Sequence, residues 1–475
     1  MTYPRTRPAS AAPEQAPIPI RVSGPLASGG ILQPVNSSMI AIAIVAIAAD
    51  FGPADGVSWI ISAMYITTAV CAPMAGRLGS IFGARRVFMA GLVFVAAGSV
   101  VGVFAPNVAV LTVAYVLIGT GISVHTPNAM TMLRAYAERY DRSPRTAIAT
   151  LVMCGQSTAA LGPTVGGLLV GAFGWQSILW VNLPVTAICA VWVMRADVGF
   201  AGGSEDSTFA ELRGLDFAGI GLFVVGLTSL MLFLISLRGA PYYWALPIAV
   251  VAVALFIVRE RRADEPFIDV RALADNGALS ATLVRALLTY VCFYCVFFGI
   301  PQWLQTVRGM TPIQAGLTML PVAGVGVLAT AIGSRTYRRY GIRATLFVGT
   351  LALVIGGLLI AAVEKSTAPV VVLLIVAAVL GIPNGFNNIG NQSLINTVTS
   401  VDNVGASIGM YRTVAFIGAN LSIVVTQLLS GGVMNDDGMK RVGWFIAIVG
   451  AVLLVAVLRS RHMGDAKKPA TSGRG

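Results

Sequence analysis

Asn384, Asn387, Asn388 and Asn391, followed by Gln392, recur at spacings of three, four and seven inside a long apolar run, which puts a stripe of carboxamides along one helical face. An amide donates and accepts hydrogen bonds without carrying charge. Surrounded by hydrocarbon, such a stripe lines a polar pathway or bonds a neighbouring helix. Arg412 sits in a second apolar run, about 12 Å from its start at roughly 1.5 Å rise per residue. A cation at that depth costs about 2.5–3.5 kcal/mol on insertion scales. Backbone carbonyls, the amide stripe or an anionic substrate group are its candidate partners, with snorkelling to the surface as the alternative. For Arg285, nearer its helix start, snorkelling is expected. His125 precedes Thr126, Pro127 and Asn128 in another run and is the candidate for moving a proton, because an imidazole titrates near neutral pH. A neutral histidine bonded between helices is the rival reading. Asn36 with Ser37, and Gln156, complete the polar set; Asn36 suits substrate binding and helix packing equally. The expected substrate pathway therefore runs past Asn36, Ser37, His125, Asn128, Gln156, the four asparagines and Arg412. Acid is missing from it: all twenty carboxylates fall outside the apolar runs or at their ends.

Composition sets the elements that must hold these groups. With 56% hydrophobic and 11% charged residues, and a mean hydropathy of +0.81, the chain is too apolar for a soluble domain, where about a quarter of residues are charged. About 20 apolar residues cross a hydrocarbon core roughly 30 Å thick. Fourteen stretches qualify: 27–49, 57–76, 87–105, 108–131, 147–173, 176–194, 215–237, 243–258, 279–303, 313–334, 344–363, 367–391, 404–430 and 442–459. The expected fold is an all-α polytopic membrane protein of two six-helix bundles plus two extra helices. Its parts are a disordered tail at 1–26, a first bundle at 27–195, a linker with the two extra spans at 196–276, a second bundle at 277–460 and a tail at 461–475. If the N-terminus is cytoplasmic, 26 of the 32 Lys and Arg residues fall on the cytoplasmic side and five on the other. The positive-inside rule then places both termini in the cytoplasm of an inner membrane.

The net charge of +12 follows from that asymmetry, so the partner it implies is the anionic inner leaflet rather than nucleic acid. Residues 1–24 hold five prolines and no apolar core of the kind a cleavable signal needs. Five cysteines all fall in apolar runs; Cys292 and Cys295 form a CxxC with no second pair, which reads as packing rather than metal or redox chemistry. No nucleophile and base cluster, phosphate-cradling loop or metal-ligand spacing appears, so neither an enzyme nor a bound cofactor or metal is expected.

Two turns resemble one another. Gly76-Arg77-Leu78-Gly79-Ser80-Ile81-Phe82-Gly83-Ala84-Arg85-Arg86 and Ser334-Arg335-Thr336-Tyr337-Arg338-Arg339-Tyr340-Gly341-Ile342-Arg343 fall at equivalent places in the two halves, suggesting an internal repeat with the substrate site between them. Gly155, Gly162-Pro163-Thr164-Val165-Gly166-Gly167, Gly174-Trp175-Gln176-Ser177 and Asn182-Leu183-Pro184 follow in order. So does Pro301-Gln302-Trp303-Leu304-Gln305 before Arg308-Gly309-Met310-Thr311-Pro312. In these strings the chain resembles the major facilitator superfamily, specifically its fourteen-helix drug:proton antiporter branch. Gly76, Gly83, Arg85, Gly155, Gly162, Pro163, Gly166 and Gly167 carry the structural and gating motifs of that resemblance. Three charge-bearing positions depart from it: Ser80 and Asn36 stand where the family has Asp, and Tyr115 where it has Arg; Ile118 also replaces a Gln.

The resemblance implies proton-driven efflux of small amphipathic compounds by a monomer working through alternating access. The loss of charge modifies this toward neutral or anionic substrates. An uncoupled facilitator and a non-transporting receptor or scaffold are the alternatives.

Overall fold

In hydrocarbon a backbone can satisfy its N–H and C=O groups only within helices or a closed barrel. The computed structural model takes the helical solution and describes residues 16–52, 54–196, 198, 216–237, 241–263, 267–268, 270–399, 404–431 and 434–460. Eleven helices among them are long and apolar enough to cross a membrane.

The first bundle comprises α1 (Ile20–Gly30), α2 (Leu32–Phe51), α3 (Ala54–Phe82), α4 (Ala84–Val103), α5 (Val108–Arg139), α6 (Arg145–Phe173), the single turn α7 (Ser177–Trp180) and α8 (Asn182–Arg195). Helix α1 corrects the expected tail. Ile18, Val22 and Leu26 are buried and α1 already begins at Ile20, so only residues 1–15 of the stretch 1–26 lie outside the described ones. Arg21 and the prolines lower the local hydropathy and hide this turn from an apolar-run reading.

Two further helices, α9 (Phe217–Ser236) and α10 (Ala245–Glu260), follow, then the short α11 (Val270–Asp275). Helix α10 is largely exposed, but α9 covers the seam between bundles: its Leu227, Met231 and Ile235 pack with Ile66 of α3 and with Val424 beyond the seam.

The second bundle holds α12 (Gly277–Thr306), α13 (Pro312–Thr318), α14 (Leu320–Val363), α15 (Val370–Val398), α16 (Val404–Ser430) and α17 (Asp436–Arg459). Within α14, Gly341 breaks the helical path with φ 84° and ψ −177°. Gly83, between α3 and α4, has φ 89°, and at both turns a side chain would be strained. Each glycine precedes an arginine by two residues, and each arginine caps the last helix of its own bundle. Arg85 Nη2 donates to the Met194 carbonyl at 2.7 Å, and Arg343 Nη2 donates to that of Leu458. The repeat read in the sequence is thus a repeated bond. The opposite end repeats a different one: Trp175 Nε1 donates to Asp50 at 2.6 Å and Trp303 Nε1 to Asp436 at 2.9 Å.

The extra helices are clasped at the terminus-bearing end. Asp216 caps α9 through the Gly219 N–H and takes Arg259 Nε at 2.9 Å. Beside it Glu260, two residues past the apolar run 243–258, accepts the Ile268 N–H at 2.9 Å. Burial, opposed by that N–H and reinforced by the Asp216 charge, pushes the Glu260 carboxyl up to about 7. Asp216 is held below its usual range: burial acts to raise it, but the Gly219 N–H and Arg259 prevail. The folded protein therefore holds the Glu260 proton more tightly than the unfolded chain. Its contribution to stability is full below about pH 4.5 and is lost as pH rises through about 7. Thermal unfolding of the purified protein between pH 5 and 8 should show this decline, and Glu260→Gln should flatten it, leaving the variant the more stable of the two at pH 8.

Candidate functional site in the C-terminal bundle

The polar residues of the first bundle are spent on packing. Asn36 on α2 and Asn182 on α8 exchange reciprocal amide hydrogen bonds at 3.0 and 2.8 Å, and Asn182 also donates to Ser99 of α4 at 2.9 Å. Asn36 is buried and joins three helices. Its place on the substrate pathway is therefore corrected to helix packing. Ser37 accepts from Gln33 one turn earlier. Asn128 donates to the carbonyls of Ala75 and Val124 and ties α5 to α3. His125 is fully buried against the edge of Phe88, ring centroids 4.7 Å apart, with neither nitrogen hydrogen-bonded. It lines neither of the cavities described below. Enclosure against Phe88 of α4 favours the histidine packed between helices over the proton carrier. Gln156 lies on α6 with its side chain outside the described ones.

The glycines of the α6 string let backbones meet. A methyl at Gly162 would strike Ser38, one at Gly166 would lie 2.9 Å from Met39 Cα, and one at Gly167 would lie 2.4 Å from the Pro312 carbonyl oxygen. The first two seat α6 on α2, and the third brings it onto α13 of the other bundle. Thr164 Oγ1 donates to the Gly316 carbonyl beside it at 2.9 Å. Gly155 makes only a distant approach, 4.0 Å from the Gly30 carbonyl, and Gly76 faces open space. Elsewhere on the seam, Gln305 donates to the Ile42 carbonyl at 3.1 Å, and Tyr65 packs on Tyr294, Phe298 and Phe416. Below these contacts a cavity opens between the bundles, lined by Ala159 and Pro163 on one side and by Phe293, Phe297 and Asn384 on the other.

A second cavity shares Phe293 and Asn384 with the first and continues inside the C-terminal bundle. The amide stripe of α15 borders it. Asn391 Oδ1 accepts Arg285 Nε at 2.8 Å, and Asn388 Oδ1 accepts the Tyr411 hydroxyl at 3.4 Å. Tyr411 in turn accepts from the Tyr290 hydroxyl at 3.1 Å. Asn387 turns to α14, where Thr350 donates to it at 3.4 Å, and its amide nitrogen stays unpartnered. Four of the ten pathway residues, all on α15, thus come together in the way their spacing required. Arg412 stands on α16, one residue after Tyr411, and is partly buried.

Arg285 was missed. Snorkelling was expected, yet its side chain is 7% exposed and leaves Nη2 without a partner. The reason is steric: Asn391 takes Nε and Tyr411 lies alongside, so the guanidinium is held at the depth of the amide stripe. A signal was available. Arg285 and Arg412 each stand eight residues into a helix, α12 and α16, and both helices leave the same end of the bundle.

Comparison with known proteins agrees with this architecture. The model of the Major Facilitator Superfamily matches residues 26–422. The chain belongs to the Major Facilitator Superfamily. It is 31% identical to the MFS-type transporter YwoD of Bacillus subtilis (strain 168), over 91% of this chain and 95% of that one. It is 28% identical to the tetracenomycin C resistance and export protein of Streptomyces glaucescens, over 92% and 84% respectively. The solved structure of the peptide transporter POT superposes with a TM-score of 0.68 at 13% identity, covering 93% of this chain and 95% of that one, which supports the fold alone. The superfamily assignment makes this a multi-pass membrane transporter rather than an enzyme. Where the family pattern has Arg and Gln in α5, this transporter buries Tyr115 and Ile118 in apolar packing, and Ser80 donates to its local Arg77 carbonyl.

The Asn36 and Asn182 pair offers a direct check on the packing role. Asn36→Ala leaves a buried amide unpaired, which costs about 1–3 kcal/mol. Thermal unfolding should register that loss, while the apparent affinity for any transported compound stays at the parent value.

Proposed function

We propose that this transporter exports small amphipathic compounds by alternating access, as a monomer in the inner membrane with both termini cytoplasmic. The observation that carries the reading is the pair of adjoining cavities, one aromatic and set between the bundles, the other lined by amides and tyrosines. Their linings match in chemistry a solute with an apolar body and a polar group. The relatives add support, since several are named for resistance or export, among them the multidrug transporter protein MdtP of Bacillus subtilis, 23% identical over 85% of this chain. A fourteen-span topology is consistent with the eleven long spans, the 29-residue α6, the 16-residue α10 and the break of α14 at Gly341.

Proton-driven antiport is the coupling we infer from the branch it resembles. An uncoupled facilitator is the second reading, and one observation favours it: neither cavity has an Asp, Glu or His in its lining. In everted vesicles, antiport should give uptake of an exported compound against its gradient, with a matching proton release that a protonophore abolishes. Uptake that only equilibrates and ignores the protonophore would replace antiport with facilitation. Because His125 is enclosed, His125→Leu should keep the parent pH profile of uptake and unfold at the same temperature or higher. A flattened profile would return the proton to His125.

A further inference from the structure

Arg285, two tyrosines and two asparagines converge from three helices of one bundle, and Arg412 stands at the same depth. Arg285 on α12 and Arg412 on α16 each stand about 12 Å from the start of their helices, while Asn391 and Asn388 on the antiparallel α15 stand about 10 and 15 Å from its end. All four therefore lie in one layer, together with the hydroxyls of Tyr290 and Tyr411.

The layer carries two positive charges and no carboxylate among the described residues around it. Asn391 answers only one edge of the Arg285 guanidinium, and Nη2 is left buried and unpaired. A guanidinium presents its N–H groups as a planar fork that matches the two oxygens of a carboxylate, sulfonate or phosphate. Burying that fork without an anion is unfavourable, and burying it with one is how arginine is ordinarily used. Above the layer the cavity turns apolar, with Phe293 and Val296 on its wall.

We propose that Arg285 and Arg412 form an anion site for the acidic head of the transported compound, whose aromatic or aliphatic body lies between Phe293 and the bundle seam. The Tyr290 and Tyr411 hydroxyls and the Asn388 amide complete the ring of donors. This rests on the export reading and adds the substrate class: amphipathic oxyanions rather than lipophilic cations.

The test separates the two. Purified full-length transporter in phosphatidylcholine vesicles is given 2-naphthalenesulfonate, 2-naphthalenesulfonamide or a naphthyl trimethylammonium salt, and binding is read by thermal shift and by calorimetry. The sulfonate should bind best. Arg285→Gln and Arg412→Gln should each weaken it about ten- to a hundredfold, the range for losing one charge-assisted hydrogen bond, and leave the sulfonamide unchanged. Asn391→Asp guards against a folding artefact. It places a carboxylate on Arg285, so it should unfold at a higher temperature than the parent yet lose the sulfonate. Equal binding of all three probes, or equal losses across them in the variants, would overturn the anion site whatever flux assays show. So would loss of sulfonate binding on adding phosphatidylglycerol, which would make a lipid head group the ligand. Sulfonate binding that depends on both arginines, without transport of any probe, would support the site and instead sink the export reading.

Discussion

A bilayer offers buried polar groups no water, so every donor and acceptor inside it must find a partner in the protein or remain a cost of about 1–3 kcal/mol, and more if charged. The N-terminal bundle meets this demand by cross-linking: Asn36, Asn182 and Ser99 satisfy one another, and Asn128 bonds two helix carbonyls. His125 is the exception, fully buried with its ring against Phe88. The C-terminal bundle differs in where some of its gaps lie: two of its unsatisfied groups, Arg285 Nη2 and Asn387 Nδ2, belong to residues grouped around a cavity, where an incoming solute could supply a partner.

That difference arises on a frame that is otherwise repeated. Gly83 with Arg85 and Gly341 with Arg343 build the same turn and the same helix cap in each half, and the Trp–Asp bonds fasten both halves at the opposite end. In the second of these the partners are exchanged: in one half the acid ends the first spanning helix, in the other it begins the last. Equivalent frames with unequal interiors mean that the polar chemistry was placed by individual side chains and not by the fold.

Much of this was legible in the sequence where a regular period carried the signal. The amide stripe on α15 followed from spacings of three, four and seven, the repeat from a glycine and arginine at matching places, and the close approach of α6 from its glycines. Isolated polar residues were another matter. Asn36 and Asn182 are 146 positions apart, and nothing local to either shows that they pair. Arg285 looked like a snorkelling residue because only its distance from the helix start was visible. What holds it inside is Asn391, 106 positions away. His125 drew attention as the rare titratable group in an apolar run, yet its chemistry depends on what its nitrogens touch, which Phe88 decides from another helix. The helix at residue 20 was hidden by composition, since Arg21 and three nearby prolines depress hydropathy without preventing helix formation near an N-terminus.

The division of labour has a mechanical consequence. The groups that could grip a solute by its polar end, Arg285, Tyr290, Asn388, Asn391, Tyr411 and Arg412, all stand on α12, α15 and α16 of one bundle. The contacts across the seam are of another type: glycine backbone against backbone at Gly167 and Gly316, a glutamine on a carbonyl, and rings packed on rings around Tyr65. A relative movement of the bundles would change the second set and leave the distances within the first untouched. On the proposed reading, access to the cavity would follow shape along α6 and α3, and affinity would follow charge and amides in the C-terminal bundle. Substitutions on the two surfaces act on separate quantities, because opening the seam does not dismantle the ring of donors.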